Sequence, residues 1–152
     1  MNKKTLTLSD YVRRRNGVPL GGIGALSEML RRSLGAKSFT VFWQFWNPIF
    51  GYYLGKYVYR PMRALGLPKS IATITTFCVS GGVHDLAATA ARQQLVFVCT
   101  PWFFFMALGL ILSRNLSMDI SEMKWHFRVV TNLIYVGICL ALALLLRRSG
   151  VI

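Results

Sequence analysis

Three stretches of the chain are apolar almost from end to end: Ile71 to Ala91, Leu95 to Ser113 and Val129 to Leu146. At about 1.5 Å of rise per residue, each predicted helix approaches the roughly 30 Å of a bilayer's hydrocarbon core. The third, "VVTNLIYVGICLALALLL", carries no charged residue and ends at Arg147 and Arg148, whose aliphatic stems can reach an interface. The second contains Pro101, which predicts a kink whose freed carbonyl is satisfied by neighbouring helices. The first is the least apolar, because His84 and Asp85 sit in its middle.

Ahead of these spans the pattern changes. Leu26, Met29, Leu30 and Leu34 recur at helical spacing opposite Glu28, Arg31 and Arg32, and Gly35 follows, which predicts a short amphipathic helix over Ala25 to Leu34. It suits either a membrane surface or packing within the protein. Next, "FTVFWQFWNPIFGYYLGKYVYRPMRALGLPKS" carries ten aromatic residues interleaved with Lys56, Arg60, Arg63 and Lys69, the mixture of a headgroup boundary. Pro48, Gly51, Gly55 and Pro61 interrupt it, so the prediction is a shallow helix broken near Asn47-Pro48 and a second helix up to Pro61. After the second span, Asp119 with Glu122 predicts a capping box for the helix entering the third, and His126 reads as an interfacial histidine there.

Composition agrees with a membrane reading: 54% of the 152 residues are hydrophobic and the mean hydropathy is +0.46. The net charge of +13 is unevenly placed, with 12 of the 18 Lys and Arg in residues 1 to 69, opposed there by Asp10 and Glu28 alone. For so apolar a chain this fits anionic headgroups and the positive-inside rule better than nucleic acid. The expected location is therefore an inner, plasma membrane with the basic N-terminus cytoplasmic, and "MNKKTLTLSDYVRRR" reads as no cleavable signal. "PLGGIG" lacks the third glycine and the Lys-Ser ending of a nucleotide loop. Cys78, Cys99 and Cys139 fall in three different spans and read as buried small hydrophobes; no bound cofactor or metal cluster is expected.

His84 is the candidate reactive group. At bilayer depth a neutral imidazole is cheaper than a charged one, and its lone pair is what a general base requires. Ser80 and Ala88 lie four residues to either side, with Gly81 nearby, so His84 projects from a strip of small residues that suits close packing or a narrow substrate space. Asp85 lies about 100° around the helix, facing Thr89 and Arg92 or a partner on another helix. A hydrogen bond between helices would account for His84 equally well.

The strings "FWQFWN" (Phe42 to Asn47), "YVYRP" (Tyr57 to Pro61) and "TFCVSGGVHD" (Thr76 to Asp85) resemble the membrane-bound O-acyltransferase family, in its wax-synthase-like branch. The resemblance implies an all-α integral membrane protein of about three transmembrane helices plus an aromatic re-entrant or interfacial segment. Residues 1–37 would be a basic N-terminal region and 38–152 the membrane domain. It implies acyl transfer from a thioester donor, acyl-CoA or acyl carrier protein, to a hydroxyl acceptor. His84 and Asn47 would be the catalytic pair, and Trp43, Trp46, Ser80 and Gly81 candidates for lining the substrate. Asp85 stands where many relatives have glutamate. Relatives thread more spans, so a second copy or a second membrane subunit is the expected partner besides lipid. The competing reading is a non-catalytic membrane module that binds lipid or stabilises a partner.

Overall fold

The computed structural model describes residues 6–149, all of whose regular elements are helical. Lys3 and Lys4 of the basic N-terminal region lie outside the described residues. The chain divides into two compact units, residues 6–53 with 119–132 and residues 54–118 with 133–149.

The first unit opens with α1 (Leu8–Asn16), begun by the Thr7 hydroxyl accepting from the Asp10 amide and ended by Gly17 in the left-handed region at φ 80°. α2 (Ala25–Leu34) has the bounds its periodicity predicts, and Gly35 follows it. Asn16 ties the two together by donating to the Ala25 carbonyl at 2.8 Å. α3 (Phe39–Phe45) is begun by the Ser38 hydroxyl and buries Phe39 and Phe42. Residues 119–132 return to this unit. Buried Asn132, 2% exposed, donates to the carbonyls of Leu34 at 2.8 Å and Ala36 at 3.0 Å. Ile120 donates to the Lys37 carbonyl, and Lys37 pairs with Asp119 at 3.7 Å. The capping box expected at Asp119 and Glu122 does not form. Asp119 instead accepts from the Ser121 amide in a turn, and α8 (Trp125–Arg148) starts later.

α4 (Pro48–Leu54) follows the break expected near Asn47-Pro48. The helical path then continues past Pro61, where the sequence predicts an end. A π-helical turn (Gly55–Tyr59) leads into α5 (Arg60–Ala64), with Arg60 donating five residues back to the Gly55 carbonyl. A proline lacks the N–H for the carbonyl four residues back and its ring crowds that group, so a locally widened turn lets the helix pass.

In the second unit, α6 (Lys69–Arg92) and α7 (Cys99–Asn115) form a hairpin. α7 begins four residues after the predicted Leu95. Pro101 therefore lies in its first turn, where a missing N–H costs nothing, rather than at a mid-span kink. The later part of α8 docks on α7: the Tyr135 hydroxyl donates to the Gly109 carbonyl at 3.1 Å and Trp102 Nε1 to the Val136 carbonyl at 3.2 Å. An apolar cavity of about 410 Å³ lies between them, lined by residues such as Phe105, Leu112, Ile138 and Leu142. Among the described residues α8 is the one helix long and apolar enough to cross a membrane. α6 is diluted by its Ser, Thr, Gly, His84 and Asp85, and the late start leaves α7 with 17 residues.

Candidate active site

α6 presents two adjacent strips to its surroundings. Gly81, Asp85 and Thr89 are spaced four residues apart, and this strip receives the hairpin partner. A Cβ on Gly81 would lie 2.6 Å from Thr100 Cα and 2.8 Å from the Cys99 carbonyl oxygen, so the bare backbone here lets α7 approach. Asp85, only 5% exposed, is filled with donors. Its Oδ1 accepts from the amides of Val98 at 3.0 Å and Cys99 at 2.8 Å. Its Oδ2 accepts from the Thr100 amide at 2.8 Å and hydroxyl at 2.7 Å. Those amides are N–H groups that a helix start leaves without intrahelical acceptors, and a carboxylate is the strongest side-chain group to satisfy them. Thr89 Oγ1 accepts from the Val96 amide at 2.9 Å, fixing the loop. The sequence placed Asp85 facing Thr89 and Arg92, or a partner on another helix; Asp85 shares its strip with Thr89, and its carboxylate meets the start of another helix.

On the neighbouring strip, His84 is exposed and its Nδ1 lies 2.7 Å from the Ser80 carbonyl oxygen. A carbonyl can only accept, so Nδ1 carries the proton and the lone pair of the neutral ring belongs to Nε2. Phe103, one turn into α7, packs on the imidazole with centroids 5.2 Å apart and planes inclined by 32°. Ser80 is buried and serves His84 through its backbone. Gly81 is occupied by the first turn of α7. The importance of Thr100 and Phe103 is absent from a periodicity reading. Thr100-Pro101 is nonetheless a recognisable helix-start signal, and it would have placed the beginning of α7 at Pro101, two residues after the observed Cys99.

The remaining candidates belong to the first unit. Asn47, at φ 40°, has its Oδ1 accepting from the Phe50 amide at 3.2 Å, with Pro48 at the first helical position, so it caps α4. This cap uses the oxygen of the amide and not the Nδ2 donor. Trp46 stacks on Phe42 at 5.4 Å, and Trp43 meets the same ring edge-on at 5.2 Å. On α2, Arg31 and Arg32 both hold Glu28, whose carboxyl these hydrogen bonds bring down to about 2. No group of three or more potential metal ligands occurs among the described residues.

The chain is 28% identical over 102 residues to a protein of Oryza sativa subsp. japonica named diacylglycerol O-acyltransferase 1-1. The match covers 66% of this chain and 18% of the rice protein, so the chain spans about a fifth of that relative's length. No solved structure matches. The model of the MBOAT, membrane-bound O-acyltransferase family matches residues 18–146, which take in most of both units, with Asn47 and His84, and leave out α1. The chain therefore belongs to the membrane-bound O-acyltransferase family.

Proposed function

We propose that this chain carries the reactive segment of a membrane acyltransferase, with His84 as general base. The observation that carries the reading is the 2.7 Å approach of His84 Nδ1 to the Ser80 carbonyl oxygen: with Nδ1 donating there, the accepting lone pair of a neutral imidazole lies at Nε2. As the acceptor hydroxyl oxygen attacks the thioester carbonyl carbon, Nε2 takes its proton. The C–S bond then breaks, and the imidazolium returns that proton to the departing thiolate. The products are an ester and a free thiol, and the histidine ends as it began.

Asn47 would orient a reactant through its Nδ2 donor while its Oδ1 caps α4. Trp43, Trp46, Ser80 and Gly81 are the substrate-lining candidates of this scheme; the two tryptophans also pack on Phe42, the Ser80 carbonyl holds His84 Nδ1, and Gly81 receives α7. The donor is acyl-CoA or an acyl carrier protein and the acceptor a hydroxyl compound, in keeping with the family and the name of the rice relative. In the bilayer α6 and α7 join α8 as spans, the basic N-terminal region faces the cytoplasm, and a second copy or subunit completes the chamber.

The test is thioester consumption by the wild-type chain and by His84→Ala, each purified with its membrane partners and offered a panel of alcohols. The expected loss is about 10²-fold, the scale of general-base catalysis. Equal consumption by the two proteins would remove His84 from the mechanism.

A further inference from the structure

We propose that Asp85 is a positioning residue for His84: it fixes the first turn of α7 on α6 and so holds Phe103 against the imidazole. The proposal rests on the reading of His84 as the base. Asp85 follows His84 in sequence but faces another strip of α6, and its carboxylate is taken up by donors at the start of α7. Its influence runs through α7. The four donors it accepts come from Val98, Cys99 and Thr100, the residues that open that helix. Phe103 stands three residues beyond Thr100, within the same turn, and is the ring packed on His84.

The imidazole is thus defined on two sides. The Ser80 carbonyl holds Nδ1, and Phe103 limits rotation of the ring plane. A rigid helix transmits any displacement of its first turn to Phe103; once that ring recedes, the imidazole can rotate away from the Ser80 carbonyl, the contact that fixes its tautomer. Gly81 contributes from the same strip, because its missing side chain allows the approach that brings the Thr100 donors to Asp85. Both oxygens of Asp85 accept two donors each, so an amide in either orientation would turn its NH2 toward two donors. A carboxylate is therefore required here.

The least disruptive perturbation is Thr100→Val, which removes one donor from Asp85 and leaves three backbone amides in place. The full chain with His126→Gln, labelled with 15N-histidine, gives an NMR tautomer signal for His84 alone. Expected results are a kcat about tenfold lower with both KM values unchanged, a shift from the Nδ1–H signature toward an averaged one, and recovery of both by Thr100→Ser. Asp85→Asn should show the same pattern more strongly. A Thr100→Val chain with wild-type kcat and tautomer overturns the proposal. So does a kcat that falls only in step with melting temperature while the tautomer signal stays fixed. Should His84→Ala turn over like wild type, the base reading alone fails, and the tautomer signal of Thr100→Val still decides the role of Asp85.

Discussion

Adding one methyl group at Gly81 would press on the first turn of α7. Its Cβ would meet Thr100 Cα at 2.6 Å, the Cys99 oxygen at 2.8 Å and the Thr100 nitrogen at 2.9 Å, all of them backbone atoms that no rotamer change can move aside. Restoring ordinary contact requires α7 to recede by roughly 0.8 Å, which lengthens the hydrogen bonds to Asp85 to about 3.6 Å, beyond useful range. Overpacking of this kind costs about 1–3 kcal/mol, and weakened bonds to a charged acceptor add to it. Alanine's better helix propensity returns only about 1 kcal/mol. The net loss is about 2 kcal/mol, or about 4–8 °C in melting temperature for a chain of this size. Gly82 is the internal control. The nearest atom to its added Cβ is Thr100 Oγ1 at 3.8 Å, an ordinary contact, so Gly82→Ala should be neutral or stabilising. Far-UV circular dichroism melts of the two variants in the same detergent decide the matter. Gly81→Ala melting at or above Gly82→Ala would refute the close approach of the hairpin.

Three other variants separate structure from chemistry. Asn47→Asp keeps an oxygen to cap α4 and deletes the Nδ2 donor, so its melting temperature should match wild type while turnover drops about tenfold; unchanged turnover would make Asn47 a cap alone. Asn132→Leu strands the carbonyls of Leu34 and Ala36 and should destabilise the chain by about 2 kcal/mol or more in denaturant unfolding, whereas an unaltered midpoint would show that water replaces the amide. Glu28 has its carboxyl brought from 4.5 to about 2 by Arg31 and Arg32, so its contribution is present above pH 4.5 and is lost as pH falls toward 2. Wild type should therefore exceed Glu28→Gln in melting temperature at pH 6 by a small margin that closes by about pH 2; a margin that widens on acidification would contradict the pairing.

What the sequence reveals and what it hides divide along the range of the interactions. α2 is legible to the residue because its apolar stripe and the following Gly35 are local signals. The break at Asn47-Pro48 is legible for the same reason, as one dipeptide both ends α3 and starts α4. The start of α7 escapes a hydropathy reading, because Leu95 to Val98 are as apolar as the helix that follows them. Their exclusion from it depends on a carboxylate 13 to 15 positions upstream. The π-helical turn before Pro61 escapes as well, since a proline in an aromatic run reads as an end unless the preceding turn widens. At the candidate site, the residue types singled out His84. The separation of Gly81 and Asp85 onto a docking strip requires the second helix to be seen.

The amide of Asn132 also imposes a schedule on biosynthesis. The carbonyls of Leu34 and Ala36 reach their partner 98 and 96 positions later in the chain. At about 5–20 residues per second, a ribosome leaves them waiting roughly 5 to 20 seconds while α3 to α7 emerge. For that interval the first unit lacks the segment that completes it, and its α2–α3 connection must be kept hydrated or chaperoned. Residues 119–132, made after α3 to α7, therefore close the unit to which α1 belongs.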